Sequence, residues 1–231
     1  MERLERRSPQ TGTTRFAWQA RRRFAEFIAR DDYPCLGARA AINARACDIH
    51  CYARLGGDVS ALARDLSNFV KSPERQVMPF ATFAAIFRQP TRLDETAFEQ
   101  RLWKVLRELN RRDRTAWDES VAANPDDANF AFSFAGVGFY IVGMHPQSSR
   151  LSRRFDFPAL VFNAHAQFRR MRAEGKWERM RSSIRKRDFA LQGAHNPMLT
   201  DFGERSEARQ YSGRAVANDW RAPFKRCPFS H

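Results

Sequence analysis

Histidine and cysteine are the side chains of this chain best suited to bind a metal or transfer a proton, and five histidines and four cysteines are present. His145 is followed by Pro146, whose ring restricts the backbone and would hold the imidazole with little freedom. His165 follows an apolar segment at 159–162. A histidine taken alone is more often structural than a ligand, so the role of both residues depends on what surrounds them.

The cysteines do not follow a recognised metal or disulfide pattern. Cys47 and Cys51 have His50 between them, but no second pair follows at the spacing of a zinc site. Together with Cys35 and Cys227 they are too few and too scattered for a disulfide framework in a chain of this size. We therefore expect reduced thiols and no structural zinc.

The chain is strongly basic, with a formal net charge of +14 from 40 Lys and Arg against 26 Asp and Glu. Such an excess favours an anionic partner, and nucleic acid is the first to consider. The sequence contains no recognisable nucleic-acid-binding motif, and its densest basic stretch, 169–187, has the pattern of a solvated helix face. A nucleic-acid partner is therefore disfavoured.

Targeting signals and membrane segments are not evident in the sequence. The apolar runs, such as 139–142, are far shorter than a bilayer-spanning helix requires. The first seven residues are highly charged and lack the apolar stretch and cleavage site of a secretory signal. We expect a cytoplasmic protein without a membrane segment.

The apolar periodicity predicts both helices and strands. Phe16, Phe24 and Ile28 recur at helical spacing between arginines, which predicts a basic amphipathic helix within residues 1–30. Residues 31–231 contain no linker-like stretch and are expected to form one domain. In that domain the pattern predicts helices at 58–71 and from Asp94, and strands at 46–55, 79–87, 130–135, 137–143 and 159–162, the last leading into a long basic helix.

These elements do not alternate as a doubly wound parallel sheet would require. In addition, no glycine-rich loop of the kind that holds phosphates follows a strand, which disfavours a nucleotide cofactor. The sequence therefore predicts an α+β fold.

The second half of the chain carries an ordered series of unusual motifs. They are NFAFSF at 129–134, GMHPQSSR at 143–150, RRF at 153–155, LVFNAHAQF at 160–168, RDFALQG at 187–193, NPML at 196–199 and SEARQYSGR at 206–214. Their order and spacing resemble the YqcI/YcgG family, most strongly from residue 117 to 220. Two features depart from the family pattern: Ala222 stands where many relatives have a cysteine, and Ala194 with His195 precedes the NPML motif, so the pocket or its substrate could differ.

The resemblance implies a haem-dependent oxygenase that uses O2 to oxidise a nitrogen of a small amine, guanidine or aminoimidazole substrate. It implies haem b as the cofactor, an external electron donor, and a single domain whose mainly antiparallel sheet and flanking helices enclose a haem pocket. A homodimer is compatible with this expectation. No general rule of sequence would separate such a pocket from another aromatic-rich core.

Within this resemblance we assign roles to particular residues. His145 is the expected axial ligand of the haem iron, with His165 the main competitor and Cys35 a third option. His165, Glu204 and Glu207 are the expected catalytic residues, and Gln192 and Asn196 are further candidates for substrate contact, although such side chains equally often cap loops. Four motif arginines are expected to bind the haem propionates: Arg150, Arg153, Arg154 and Arg214. Phe132 and Phe134 are expected to form an apolar wall of the haem pocket.

Two other classes of function stay open at this stage. A haem-binding sensor or carrier would have the same pocket without turnover. A basic nucleic-acid-binding protein would instead associate with DNA or RNA in a salt-dependent way and would contain no coloured cofactor.

Overall fold

The computed structural model describes the backbone of residues 9–225 and the side chains of residues 14–225. Cys227 and the first part of the predicted N-terminal helix lie outside the described residues. The helices are α1 Pro9–Ala29, α2 Leu36–Asn43, α3 Ser60–Lys71, α4 Pro73–Val77, α5 Glu95–Arg112, α6 His165–Ala173 and α7 Trp177–Gln192. The strands are β1 Cys47–Arg54, β2 Thr82–Gln89, β3 Phe132–Phe134, β4 Val137–Met144 and β5 Ala159–Ala164.

The five strands form one sheet in the order β1-β2-β5-β4-β3. The pairs β2-β5, β5-β4 and β4-β3 are antiparallel, whereas β1 and β2 run parallel because α3 and α4 carry the chain back to the same end of the sheet. The predicted single-domain α+β fold is confirmed. The expectation of a mainly antiparallel sheet is corrected to a mixed sheet.

The two faces of the sheet pack against different helices. Because successive side chains of a strand point to opposite faces, Phe139 and Ile141 of β4 join a core with α3 and α5. Tyr140 and Val142, which alternate with them, face a space bounded by helices of the other layer. Both faces of the sheet are therefore covered, and each strand contributes side chains to two environments.

The first helix closes part of the second face. Ala20, Phe24 and Ile28 recur at a spacing of four residues and are buried against Ala84 and Ile86 of β2. This is the amphipathic helix that the arginine-interrupted pattern predicts. Within residues 9–225, none of the helices has the length and apolar composition needed to cross a membrane.

The long basic helix that was predicted after β5 is two helices. The break lies at Gly175, which adopts a left-handed φ of 67° that side chains with a Cβ rarely tolerate. The second helix, α7, has 16 residues and none of them is buried. It ends at Gly193, whose φ of 75° is also left-handed. Thus α7 is bounded by two glycines and covers the second face without inserting a buried side chain.

The second half of β4 packs very closely against the neighbouring core. A Cβ added at Gly143 would lie 2.7 Å from both the ring of Phe98 and the carbonyl oxygen of Tyr211. The Gly143 N–H also donates a hydrogen bond to that carbonyl at 2.7 Å. The glycine is required here because backbone, strand and helix approach to within contact distance.

We expect Gly143→Ala to lower the free energy of unfolding by about 1–3 kcal/mol, as overpacking of a dense core usually does. Denaturant unfolding followed by circular dichroism would measure the change. Gly57→Ala is the matched control, because its φ is not left-handed and the nearest atom would lie at 3.3 Å; we expect a change within about 1 kcal/mol. Equal stability of the two variants would contradict the tight packing at Gly143.

Candidate functional site

A cavity of about 270 Å³ lies between the second face of the sheet and the helices α2, α6 and α7. The volume is near the lower end of the range of about 300–1,000 Å³ that small-molecule and cofactor sites occupy. Most of the wall is apolar and includes Phe168, Trp177, Met180 and Ile184. Polar and charged side chains are interspersed through this apolar wall, a composition that can enclose an apolar molecule and orient its polar groups.

Cys35 lies in this wall at the start of α2. Its Sγ accepts a hydrogen bond from the backbone N–H of Ala38 at 3.4 Å, so the thiol caps the helix. Burial raises the pKa of the thiol, and the N–H groups of Ala38 and Gly37 partly offset that effect. The positive end of a helix favours an anion. Cys35 is therefore a soft donor atom held in a fixed position.

His165 and Glu207 form a buried pair in another part of the wall. The Nε2 of His165 lies 2.9 Å from Oε2 of Glu207, and the hydroxyl of Tyr211 donates to Oε1 of the same carboxylate at 2.6 Å. Burial raises the pKa of Glu207, while the hydrogen bonds from His165 and Tyr211 oppose that rise. The pair can hold a proton between an imidazole nitrogen and a carboxylate oxygen that both border the cavity.

His145 lies on the other side of the sheet. It continues β4 in phase with Phe139, so it points toward α5, where its ring stacks on Phe98 with a centroid distance of 4.4 Å. The ring is fully buried, its nitrogens make no hydrogen bond of standard geometry, and burial lowers the pKa of the imidazole. The structure does not bring His145 to the cavity.

Arg153 is the one member of the predicted propionate-binding set that lines the cavity. Its guanidinium donates to the carbonyl oxygen of Tyr211 at 3.0 Å, which fixes the side chain along the wall. Arg154 donates to the carbonyl of Ser148, and Arg214 pairs with Glu99. Arg150 does not line the cavity itself but pairs with Asp188, which does.

The other predicted site residues divide in the same way. Asn196 lines the cavity together with Glu207. Glu204 is exposed, and its Oε2 accepts a hydrogen bond from the N–H of Asp201 at 3.0 Å, so it caps a loop. Phe132 and Phe134 are buried in the core on the α5 side of the sheet.

Several cavity residues escaped sequence reasoning. Arg172, Arg181 and Arg185 belong to the basic stretch that was interpreted as a solvated helix face, yet all three line the cavity. Gln167 also lines it, and its buried Oε1 has no hydrogen-bond partner. The alternation of side chains along a strand assigns the residues of β4 and β5 to the two faces of the sheet. The helices that complete the wall are brought there by the tertiary fold.

Polar contacts hold α7 over the cavity. Arg150, in the turn after β4, pairs with Asp188 of α7. The side chain of Gln192 accepts a hydrogen bond from the N–H of Leu151 at 2.8 Å, and Arg187 donates to the carbonyl of Tyr33 at 3.0 Å. The motifs GMHPQSSR and RDFALQG therefore meet, and together they attach the covering helix to the body.

Comparison with known proteins assigns the chain to a family. The YqcI/YcgG family model matches residues 24–225. The chain is 27% identical to the uncharacterized protein YcgG of Bacillus subtilis over 216 residues, which covers 87% of this chain and 82% of that protein. It is also 27% identical to the uncharacterized protein YqcI of the same organism over 164 residues, covering 67% and 63%. No solved structure gives a significant match. Because the family model covers most of the sequence, the chain belongs to the YqcI/YcgG family.

Proposed function

We propose that the cavity binds haem and that the protein is a haem-dependent oxygenase acting on a nitrogen atom of a small amine, guanidine or aminoimidazole. One observation carries the proposal: a mainly apolar cavity has a partly buried thiol, a buried imidazole–carboxylate pair and four arginines in its wall, two of which share the carboxylate of Asp201. A haem site needs a soft axial donor, apolar walls and cations for two propionates. The residues present fit all three needs.

Cys35 is the side chain that would ligate the haem iron in this cavity. Its Sγ borders the cavity, and the N–H hydrogen bond it accepts partly offsets the rise in thiol pKa that burial causes. His165, the competing donor, has its Nε2 committed to Glu207. His145 was the ligand expected from the sequence, but its position against Phe98 would require the macrocycle to enter a densely packed core.

Arg153, Arg172, Arg181 and Arg185 are the side chains that would hold the propionates. Arg185 is the strongest of these candidates, because its buried Nε has no hydrogen-bond partner, while its Nη2 lies 3.1 Å from the carboxylate of Asp201. These side chains take the place of the arginine set expected from the motifs, of which only Arg153 reaches the wall.

When bound, the haem would supply the binding and reductive activation of O2. Insertion of one oxygen atom into an N–H bond of the substrate forms the N–O bond, releases the other oxygen atom as water, and consumes two electrons and two protons. His165 and Glu207 are placed to supply protons, since the hydrogen bond between Nε2 and Oε2 lies at the cavity wall. Phe168, Trp177 and Met180 limit the entry of water, which protects reactive species from side reactions.

The orientation of a substrate falls to amide groups that border the same space. Gln167 presents an unpartnered Oε1, and Asn196 also lines the cavity. An amine or guanidine carries several N–H donors, and a buried acceptor without a partner gains most from such a ligand. Gln167 is therefore proposed to bind the substrate nitrogen.

The first test concerns the iron ligand. Protein produced with a haem supply should be coloured, and Cys35→Ala should shift its visible absorption maxima or abolish haem retention, because the axial thiolate is lost. His145→Gln should leave the spectrum unchanged. An unchanged spectrum for Cys35→Ala would contradict the assignment of Cys35 as the iron ligand. A spectral shift seen only in His165→Gln or only in His145→Gln would identify that histidine as the ligand.

The second test concerns turnover. Reduced, haem-loaded protein supplied with isotopically labelled O2 and a panel of guanidine and aminoimidazole compounds should add labelled oxygen to one of them, as measured by mass spectrometry. Glu207→Gln should reduce the rate by about 10²–10⁴-fold, the usual contribution of acid–base catalysis, with the haem spectrum retained. Glu204→Gln is the matched control and should stay within a fewfold of the parent rate. Haem binding without product from any compound would favour a sensor or carrier instead.

The third test concerns α7. A helix of this length depends on packing for its stability, yet α7 has no buried residue, so a cavity occupant would provide the missing contacts. Haem at about 100 times its Kd should slow amide hydrogen exchange in residues 177–192 by up to about 100-fold. Exchange in α5, which lies on the other face, should change little. Equal protection of α7 with and without haem would contradict this location of the cofactor.

A further inference from the structure

The outer side of α7 carries a second, shallow depression. Its lining residues, called here the basic groove, are Arg181, Ser182, Arg185, Lys186, Phe189 and His195. Two of them, Arg181 and Arg185, also line the cavity. The groove and the cavity therefore lie on adjoining faces of one helix, which is about 10–12 Å across including side chains.

The groove has an excess of positive charge. Arg181 and Arg185 share the carboxylate of Asp201, and Arg181 also pairs with Glu178, whereas Lys186 is exposed and has no ion pair among the described residues. Arg179, one helical turn before the groove, is likewise exposed and unpaired in the described part of the chain. The stretch 169–187 as a whole contains nine Lys or Arg and two Glu. A surface of this kind attracts and orients an acidic partner.

An exposed aromatic side chain lies within this charged rim. Phe189 is 44% exposed, and among the described residues only Trp18 and Val77 are other large apolar side chains with comparable exposure. Its ring contacts the imidazole of His195 with a centroid distance of 4.7 Å. An aromatic residue surrounded by arginine and lysine is the composition of a protein–protein contact with a small anchoring centre.

The position of the groove decides between an acidic protein and a nucleic acid. Both would be attracted by the charge, but only a redox protein gains from lying one helix away from an enclosed cofactor site. The proposed oxygenation consumes two electrons for each oxygen atom inserted, and the sequence shows no phosphate-binding glycine motif through which the chain could bind a nucleotide reductant of its own.

We propose that the basic groove docks a small acidic one-electron carrier protein of the ferredoxin or flavodoxin type, which delivers electrons across α7 to the cavity. This inference rests on the proposed haem site. Each docked carrier is oxidised by one electron, and two such events supply the two electrons that accompany reduction of one atom of O2 to water. The carrier is recycled by its own NADPH-dependent reductase.

The test uses haem-loaded protein, a plant-type [2Fe–2S] ferredoxin and its NADPH-dependent reductase under an atmosphere of carbon monoxide. The rate of haem reduction is followed in the visible spectrum at low and high salt. Lys186→Glu should slow reduction at low salt by about tenfold or more and flatten the salt dependence, because rim charges act on the association rate. Phe189→Ala should raise the ferredoxin concentration at which the rate of haem reduction is half-maximal, because an anchoring contact is lost.

Lys104→Glu is the matched control, since Lys104 is an exposed lysine of α5 on the opposite layer, and its rate should stay within twofold of the parent. Dithionite, which needs no docking site, should reduce all variants at the same rate. A coloured protein that dithionite reduces, but whose ferredoxin-driven rate is equal in Lys186→Glu and Lys104→Glu, would overturn the docking proposal alone. A protein that retains no haem would overturn the proposed function and this inference with it.

Nucleic acid is the remaining occupant to compare. Binding of a fluorescent single-stranded oligonucleotide can be measured on the same three variants. If Lys186→Glu and Phe189→Ala weaken oligonucleotide binding while ferredoxin-driven reduction is unaffected, the groove is a nucleic-acid site and the proposal is wrong. If Lys186→Glu and Phe189→Ala instead slow ferredoxin-driven reduction while oligonucleotide binding stays weak and unchanged, the result supports docking of the electron carrier.

Discussion

The alternation of side chains across a sheet covered on both faces is the constraint on which the site depends. In β4, odd-numbered residues point to the α5 core and even-numbered residues to the cavity, whereas in β5 the odd-numbered residues face the cavity. This phase difference follows from the register that pairs Phe139 with Ala164. It sends His145 into a packed core and His165 into the cavity wall, although both follow a strand. Two histidines with similar sequence surroundings thus acquire opposite environments.

The cavity wall combines rigid and weakly held parts. The sheet side is fixed by dense packing, to the degree that Gly143 leaves no space for a methyl group. The opposite side is α7, which is attached through the Arg150–Asp188 pair and Gln192 rather than through buried apolar contacts. Because α7 contains no buried residue, it loses less apolar contact than the rest of the protein when it moves, although the Arg150–Asp188 pair, 9% and 14% exposed, opposes such movement.

The buried polar groups also connect the cavity with the core. Glu207 accepts hydrogen bonds from the cavity histidine and from Tyr211, and the hydroxyl of Tyr211 in turn accepts the N–H of Phe132 at 3.0 Å. Every carboxylate oxygen in this chain of contacts has a partner, which limits the cost of burying it. The motif SEARQYSGR therefore has two roles. Glu207 lines the cavity, whereas Tyr211 bonds to Phe132 of β3 and Gly143 of β4 and so attaches the motif to the sheet.

Sequence patterns alone determined the class of fold, the strands β1 to β5 to within a few residues, the cap that Asp94 provides for α5, and the family. These features depend on local periodicity, helix capping and motif order, all of which are written along the chain. The parallel pairing of β1 with β2, the break at Gly175 and the placement of each motif residue were decided by tertiary structure. Arg150 and Phe132 stand in motifs as distinctive as that of His165, yet they fasten α7 and fill the core. The reason is physical: a motif records which residues are needed, whereas strand register and helix position determine which side chains share a cavity.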